Sequence, residues 1–264
     1  MKEQNIHLEK KVFDQNAMRG LRDRLPMSVY VEIYQKLGLL DGALKPVSPK
    51  ASLLEFGCND GLHCLNLAKF GYRTTGFDVS SEAIRLASSQ VDDPGLSSEF
   101  LVADANDLSS FGSSSFDIIL MFGFLHHFYY SGGILRILKE ADRIVSKNGK
   151  IFIVEPNHCY YYHFLSFTLA HFLLKIHPFN FLKQTFTLNE RSLIPSKIVK
   201  MVGRNLSWNL EKIIYFDYLR EIINYQGYKG VYLFFLIKRG LDILASFLKA
   251  SLKSDFFCLV FTKK

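Results

Sequence analysis

The sequence lacks most features that would identify a secreted or metal-binding protein. Its 264 residues include four cysteines, which form neither a CxxC pair nor a regular disulfide framework. The first residues are charged or polar and lack the apolar stretch of a secretory signal. These absences predict reduced thiols, a cytoplasmic location and no metal site. Internal repeats and low-complexity tracts are absent as well.

Long apolar runs without charge are also absent. The apolar run 159–174 has 16 residues, fewer than the roughly 20 that span a bilayer. The longer apolar stretch 219–252 is interrupted by Lys238, Arg239 and Asp242, whose charges would be costly at the centre of a bilayer. The sequence therefore predicts no transmembrane helix.

Positive charge and aromatic residues are unevenly distributed along the chain. Residues 1–157 carry 17 Lys and Arg against 19 Asp and Glu, a balance of −2. Residues 158–264 carry 15 against 6, a balance of +9, and hold 22 of the 38 aromatic residues. The C-terminal segment therefore needs a functional explanation of its own.

The apolar pattern divides the chain into three parts. Residues 1–48 are expected to form a helical cap, with a helix that ends near Gly38. Residues 49–157 alternate strands with helices, which predicts βαβ units and a parallel sheet. Residues 158–264 are expected to complete the sheet and to carry an inserted aromatic, basic helical lid.

The expected elements can be placed on the sequence. Strands are predicted at 52–56, 73–77, 100–103, 117–122, 150–155, 209–216 and 256–262. Helices are predicted at 62–70, 81–90, 133–145 and 193–202, and the lid at 159–182 and 219–252. Asn148-Gly149 predicts a turn ahead of the fifth strand.

The most specific chemical signal follows the first predicted strand. Gly57 and Gly61 bound a turn in which Asn59 stands where a residue with positive φ is needed. The glycines allow close backbone approach and tight helix packing, and the first amides of the helix face the pocket. Because the spacing is GxxxG rather than GxGxxG, the turn alone fits either a cofactor site or a structural turn.

Acidic residues follow the next two predicted strands. Asp78 ends the second strand, where a carboxylate can accept hydrogen bonds from two ribose hydroxyls; a helix cap is the other interpretation. Asp104 and the small Ala105 follow the third strand, where they suit an adenine amino group and ring, or an Asx turn. Because parallel strands share one carboxyl edge, these residues are expected to line one pocket.

These segments together resemble the core of class I S-adenosylmethionine-dependent methyltransferases, in the type 11, small-molecule branch. The resemblance is carried by LEFGCNDG (54–61), GFDVS (76–80), ADANDL (103–108), SFDII (115–119), LHH (125–127) and GKIFI (149–153). It implies a Rossmann-like α/β fold, with a seven-stranded, mostly parallel sheet and an antiparallel last strand. Asn59 departs from the glycine usual in the family.

The resemblance also implies S-adenosyl-L-methionine as cofactor. The residues that it implies for cofactor binding are Glu55, Gly57, Cys58, Asn59, Gly61, Asp78, Val79, Asp104, Ala105 and Phe122. A methyl-accepting oxygen or nitrogen also needs a base. His127 is the first candidate and His126 the second, because neutral imidazole is available near pH 7; the alternative is that this pair only packs within its loop.

The acceptor side is less specific. Substrate contacts are expected from Tyr30, Tyr129, Tyr130 and His158, with packing as the alternative for the tyrosines, and Glu155 is a further candidate. The predicted acceptor is a small or lipid-linked hydrophobic molecule methylated at oxygen, and the basic lid suits peripheral attachment to an anionic membrane at its inner face. Two alternatives stay open: a catalytically silent cofactor-binding membrane or partner module, and an RNA methyltransferase.

Overall fold

The structure is a computed structural model that describes residues 27–91, 93, 95–129, 132–158, 192–216 and 254–264. Residues 1–26, Tyr130 and the predicted lid segments 159–182 and 219–252 lie outside these ranges. None of the described helices is long and apolar enough to cross a membrane.

Strands and helices alternate along the described chain. The helices are α1 (Met27–Leu37), α2 (Leu62–Lys69), α3 (Ser81–Ser89), α4 (Ile134–Ile144) and α5 (Pro195–Asn205), and a short 3-10 helix spans Leu125–Phe128. The strands are β1 (Ser52–Phe56), β2 (Arg73–Asp78), β3 (Ser98–Val102), β4 (Phe116–Phe122), β5 (Val145–Pro156), β6 (Trp208–Phe216) and β7 (Phe256–Lys263). All seven predicted strands are present, and only the start of β5 is shifted by more than two residues.

The strands form one sheet in the order β3-β2-β1-β4-β5-β7-β6. Strands β1 to β5 are parallel, and β7 runs antiparallel to both of its neighbours, β5 and β6. The predicted seven-stranded, mostly parallel sheet with an antiparallel last strand is confirmed. The strand order reverses between β1 and β4, and this is where open parallel sheets form a ligand crevice at the carboxyl ends of their strands.

Apolar side chains cover both faces of the sheet. On one face, α1 and α2 pack over residues such as Leu53 and Leu120. On the other face, α4 and α5 pack over the intervening residues, such as Leu54 and Ile119. Strands buried on both faces read as continuous apolar runs, and each buried leucine contributes about 1.5–3 kcal/mol.

The start of β5 corrects one prediction. Asn148-Gly149 does not form a turn ahead of the strand, because β5 already begins at Val145 and includes both residues. Phe116 pairs with Val145 and Ile118 pairs with Lys150, so a step of two residues along β4 is matched by five along β5, and the three extra residues of β5 form a bulge. Asn148 has a positive φ of 63°, a conformation that suits a bulge as well as a turn.

The chain leaves the described structure after β5 and again after β6, and both departures lie at the carboxyl edge of the parallel strands. Asn157, which follows β5, is fully buried. Its backbone amide donates to the carbonyl of Asp255 and its Nδ2 donates to the carbonyl of Ser254, both at 2.8 Å. Asn157 also forms a parallel bridge with Leu193. The described flanks of both segments therefore meet at the end of β5.

Candidate active site

The turn between β1 and α2 closes around the carboxylate of Asp78. Asn59 has a φ of 48°, which confirms the expected positive φ, and its amide donates to Oδ2 of Asp78 at 3.0 Å. Oδ1 of Asp78 accepts from the amide of Ser80 at 2.9 Å. Burial raises the pKa of Asp78, whereas the hydrogen bonds from Ser80 and Asn59 and the charge of His127 act to lower it. The carboxylate is therefore fixed by the turn at the end of β2.

Both glycines of the turn have left-handed backbone conformations. The φ angles are 68° at Gly57 and 76° at Gly61. A Cβ atom on Gly57 would lie 2.4 Å from the ring of Phe124, and one on Gly61 would lie 2.6 Å from the ring of Phe100. The close packing expected at Gly61 is confirmed, while the approach of Phe124 to Gly57 was not predicted.

Glu55 is buried at the end of β1, with 2% of its surface exposed. Its Oε2 accepts a hydrogen bond from the thiol of Cys64 at 3.1 Å. Burial raises the pKa of Glu55 to about 8, so the carboxyl is mostly protonated at neutral pH. Burial also raises the pKa of the Cys58 and Cys64 thiols, which makes both poor nucleophiles.

Asp104 and Ala105 follow β3 at the same edge. Oδ1 of Asp104 accepts from both the backbone amide and the side-chain amide of Asn106, at 2.8 and 2.7 Å. Ala105 is buried in the core below. The Asx turn is therefore present, and because both bonds use Oδ1, it is compatible with a ligand contact at Oδ2. Arg136 of α4 donates to the side chain of Asn106 and braces this loop.

The 3-10 helix after β4 carries His126 and His127, whose ring centroids lie 4.0 Å apart. Nδ1 of His126 lies 2.8 Å from Oε2 of Glu155, which is near the end of β5, the strand that pairs with β4. Oε1 of Glu155 accepts from the amides of Phe124 and Leu125 at 2.8 and 2.5 Å. Glu155 therefore fixes both the start of the 3-10 helix and the ring of His126.

A second group of rings joins α1, α2, β4 and β7. His63 stacks on Phe122 with ring centroids 4.3 Å apart, and its Nδ1 lies 2.8 Å from the hydroxyl of Tyr34. Tyr30 packs edge-on against His63, and Phe122 contacts Phe256. Burial lowers the pKa of His63 to about 4, so this ring is neutral at pH 7. These five residues are called the aromatic cluster below.

The predicted substrate residues do not share one surface. Tyr30 belongs to the aromatic cluster and is 4% exposed, whereas Tyr129 packs against the core on the opposite face of the sheet. His158 lies after β5, where its Nδ1 is 2.8 Å from the hydroxyl of Ser192. Val79 is half-buried beside Asp78.

Several residues of the site were not predicted from the sequence, among them His63 and Phe124. His63 carries a usable signal, since it is an imidazole two residues after the glycine turn on a mostly apolar helix. Phe124 carries no such signal, because its contact with Gly57 joins residues far apart in the chain. Among the described residues, no group of His, Cys, Asp and Glu is arranged to hold a metal ion.

Residues 54–153 match the family model described as a methyltransferase domain. The matched segment contains the glycine turn, Asp78, Asp104 and the histidine pair. This segment therefore matches a methyltransferase domain. The seven-stranded sheet, which also includes β6 and β7 beyond the matched segment, is shared with solved SAM-dependent methyltransferases.

Curated relatives of the methyltransferase domain are ubiquinone biosynthesis O-methyltransferases. The Caulobacter vibrioides protein is 27% identical over 117 residues, which are 44% of this chain and 45% of the relative. The protein of Caulobacter sp. strain K31 is 31% identical over 105 residues, 40% of each chain. The match therefore spans less than half of the length of these relatives.

Solved methyltransferase structures share the fold over most of the chain. A SAM-dependent methyltransferase from Methanosarcina mazei has a TM-score of 0.55 and 20% identity, and the match covers 82% of this chain and 94% of that chain. Magnesium protoporphyrin IX methyltransferase from Synechocystis PCC 6803, solved with bound SAH, has a TM-score of 0.55 and 13% identity over 90% of this chain and 82% of that chain. At these identities the likeness shows the fold.

S-adenosyl-L-methionine is the cofactor of this domain family, and the hydrogen-bonding groups at the sheet edge fit it. Asp78 and Asp104 place hydrogen-bond acceptors at the ends of neighbouring strands. Ribose hydroxyls and the adenine amino group are hydrogen-bond donors, so the two carboxylates match their chemistry.

Proposed function

We propose that this chain transfers the methyl group of S-adenosylmethionine to an oxygen of a small or lipid-linked hydrophobic acceptor. The observation that carries the proposal is the meeting, at one sheet edge, of the Asp78 turn, the histidine pair and the aromatic cluster. Oxygen is supported as the accepting atom by the names of the curated relatives, which are O-methyltransferases.

On the cofactor side, we assign the ribose hydroxyls to Asp78 and the adenine amino group to Asp104. The turn from Gly57 to Gly61 would line the methionine end, because its positive φ angles turn the backbone towards the crevice. The other residues proposed to line the cofactor are Glu55, Cys58, Asn59, Val79, Ala105 and Phe122.

On the acceptor side, the half-buried His63, Phe122 and Phe256 of the aromatic cluster would offer an apolar surface to a ring or alkyl chain, whereas Tyr30 and Tyr34 are buried. The segments that leave after β5 and β6 start and end at this edge, and residues 158–264 carry a charge of +9 with 22 aromatic residues. Aromatic and basic residues together favour contact with anionic lipid, which supports a lipid-linked acceptor at a membrane surface.

The bound cofactor supplies a methyl group already activated by a sulfonium charge. The chain's residues therefore have three tasks: to align the acceptor oxygen, to exclude water and to take the hydroxyl proton. His126 and His127 are the bases nearest to the end of β4, and Tyr129 and His158 are proposed to border the acceptor.

Calorimetry with S-adenosylmethionine tests the shared premise. Asp78→Ala is expected to weaken binding at least 10-fold, since it removes the proposed ribose acceptor and releases the Asn59 amide. Asp107→Ala is the matched control, because Asp107 caps an exposed turn of the next loop. Equal binding by the wild type and Asp78→Ala would contradict the cofactor assignment.

Vesicle flotation and methyl transfer to an alkylcatechol test the acceptor. Binding to phosphatidylglycerol vesicles but not to phosphatidylcholine vesicles, together with O-methylation of the alkylcatechol, is the expected result. Indifference to anionic lipid would argue against a membrane-facing side. Strong, salt-sensitive retention of RNA would favour an RNA methyltransferase instead.

A further inference from the structure

Of the two neighbouring histidines, His126 contacts a buried carboxylate directly. Its Nδ1 lies 2.8 Å from Oε2 of Glu155, near the end of β5. The side chain of Glu155 is fully buried, and that of His126 is 13% exposed. The imidazole of His126 is therefore linked to the end of β5.

The hydrogen bonds of Glu155 determine the orientation of its carboxylate. Oε1 accepts from two successive backbone amides, those of Phe124 and Leu125, so Oε2 remains directed at the ring of His126. A carboxylate can only accept hydrogen bonds. Nδ1 of His126 must then carry the proton, and the lone pair of the neutral ring lies on Nε2.

The inference about Glu155 and His126 rests on the proposed methyltransferase activity and concerns the same site. We propose that Glu155 is a positioning residue that fixes the Nδ1–H tautomer of His126, and that Nε2 of His126, rather than His127, accepts the proton of the methylated hydroxyl.

The proton and electron balance of this step is simple. His126 takes the hydroxyl proton at Nε2 and becomes an imidazolium, which Glu155 stabilises at Nδ1. The acceptor oxygen forms a bond to the methyl carbon, and the electron pair of the breaking carbon–sulfur bond stays on sulfur. The histidine then returns its proton to solvent.

The variant Glu155→Gln gives the sharpest test. The amide oxygen of glutamine can still accept from Phe124 and Leu125, but its NH2 group would face Nδ1 of His126 as a donor. We therefore expect the tautomer to reverse, with the proton on Nε2. Imidazole 15N chemical shifts report the tautomer directly and need no acceptor.

Kinetics with an alkylcatechol separate the two histidines. Glu155→Gln and His126→Gln are each expected to lower kcat at least 100-fold, with little change in the calorimetric affinity for S-adenosylmethionine. The double variant should lose no more of its kcat than either single variant, because both substitutions disable the same hydrogen-bonded pair. His127→Gln is expected to lower kcat less than His126→Gln does.

The outcomes distinguish this inference from the proposed function. An Nε2–H tautomer in the wild type, or a tautomer that Glu155→Gln leaves unchanged, overturns the inference whatever the activity. A larger loss of kcat in His127→Gln than in His126→Gln also overturns it. Failure of the wild type to methylate any hydroxylated acceptor counts against the proposed function, while the 15N spectrum still decides the Glu155–His126 arrangement.

Discussion

The two sides of the carboxyl edge are built differently. On the proposed cofactor side, at the ends of β1 to β3, backbone amides donate to carboxylates only 2 to 19 residues away in the chain. On the proposed acceptor side, at the ends of β4 and β5 and the start of β7, side chains contact one another across 29 residues or more. The cofactor side thus depends on local backbone conformation and the acceptor side on distant packing.

The largest expected effect concerns backbone conformation on the cofactor side. Gly57→Ala is expected to lower the free energy of unfolding by about 4 kcal/mol, because it combines a left-handed φ of 68° with a Cβ atom 2.4 Å from the ring of Phe124. Urea unfolding measures this loss. Gly203→Ala is the control: its Cβ meets no atom within 4 Å in α5, and a gain of up to about 1 kcal/mol is expected. A loss below about 1 kcal/mol for Gly57→Ala would contradict the account of the turn.

The second effect concerns the buried acid of the cofactor side. The pKa of Glu55 is raised from 4.5 to about 8, so its contribution to stability is complete below pH 4.5 and is lost as the pH rises towards 8. Between pH 5 and pH 9, the free energy of unfolding of Glu55→Gln should therefore rise by about 3 kcal/mol relative to that of the wild type. Urea unfolding at both pH values tests this, and a difference independent of pH would show that Glu55 ionises normally.

A pH effect of opposite sign is expected on the acceptor side. The pKa of His63 is lowered from 6.5 to about 4, so its contribution is complete above pH 6.5 and is lost as the pH falls towards 4. Between pH 7 and pH 4, the free energy of unfolding of His63→Gln should fall by about 2 kcal/mol less than that of the wild type. Each pH-dependent variant is the control of the other: on the acid side, only His63→Gln should differ increasingly from the wild type in thermal unfolding.

The smallest effect concerns the helix that follows Asp78. The hydroxyl of Ser80 accepts from the amide of Ala83 at 3.0 Å and caps α3. Ser80→Ala should therefore cost about 1 kcal/mol in thermal unfolding. Ser89→Ala, at the other end of α3, is expected to change the stability by less than 0.5 kcal/mol or so. Equal effects of the two changes would mean that the cap is not what stabilises this helix start.

The contrast between the two sides also explains what the sequence could predict. Apolar runs bounded by glycine and acidic residues located the strands, because burial on both faces of a parallel sheet demands such runs. Asn59 and Gly61 were interpreted correctly because positive φ restricts the residue type. Asn148-Gly149 was misassigned because the same residues suit a turn or a bulge, and only the pairing of Val145 with Phe116 distinguishes the two.

The acceptor side could not be assembled from the sequence to the same extent. Tyr30 and Tyr129 were grouped by residue type, yet they pack on opposite faces of the sheet. The partner of His126 is Glu155, 29 residues away on another strand, so its choice depends on the register between β4 and β5. The roles of the cofactor and substrate residues stay predictions until the binding experiments are done.

The buried Asn157 has a consequence for engineering. Its hydrogen bonds to residues 254 and 255, together with the bridge to Leu193, join the described flanks of segments 159–191 and 217–253 in one seam at the end of β5. Chimeras joined between 158 and 192, or between 216 and 254, would therefore inherit the seam and keep the register of the sheet. Exchange of these segments is therefore expected to change the proposed acceptor side while the proposed cofactor side is left intact.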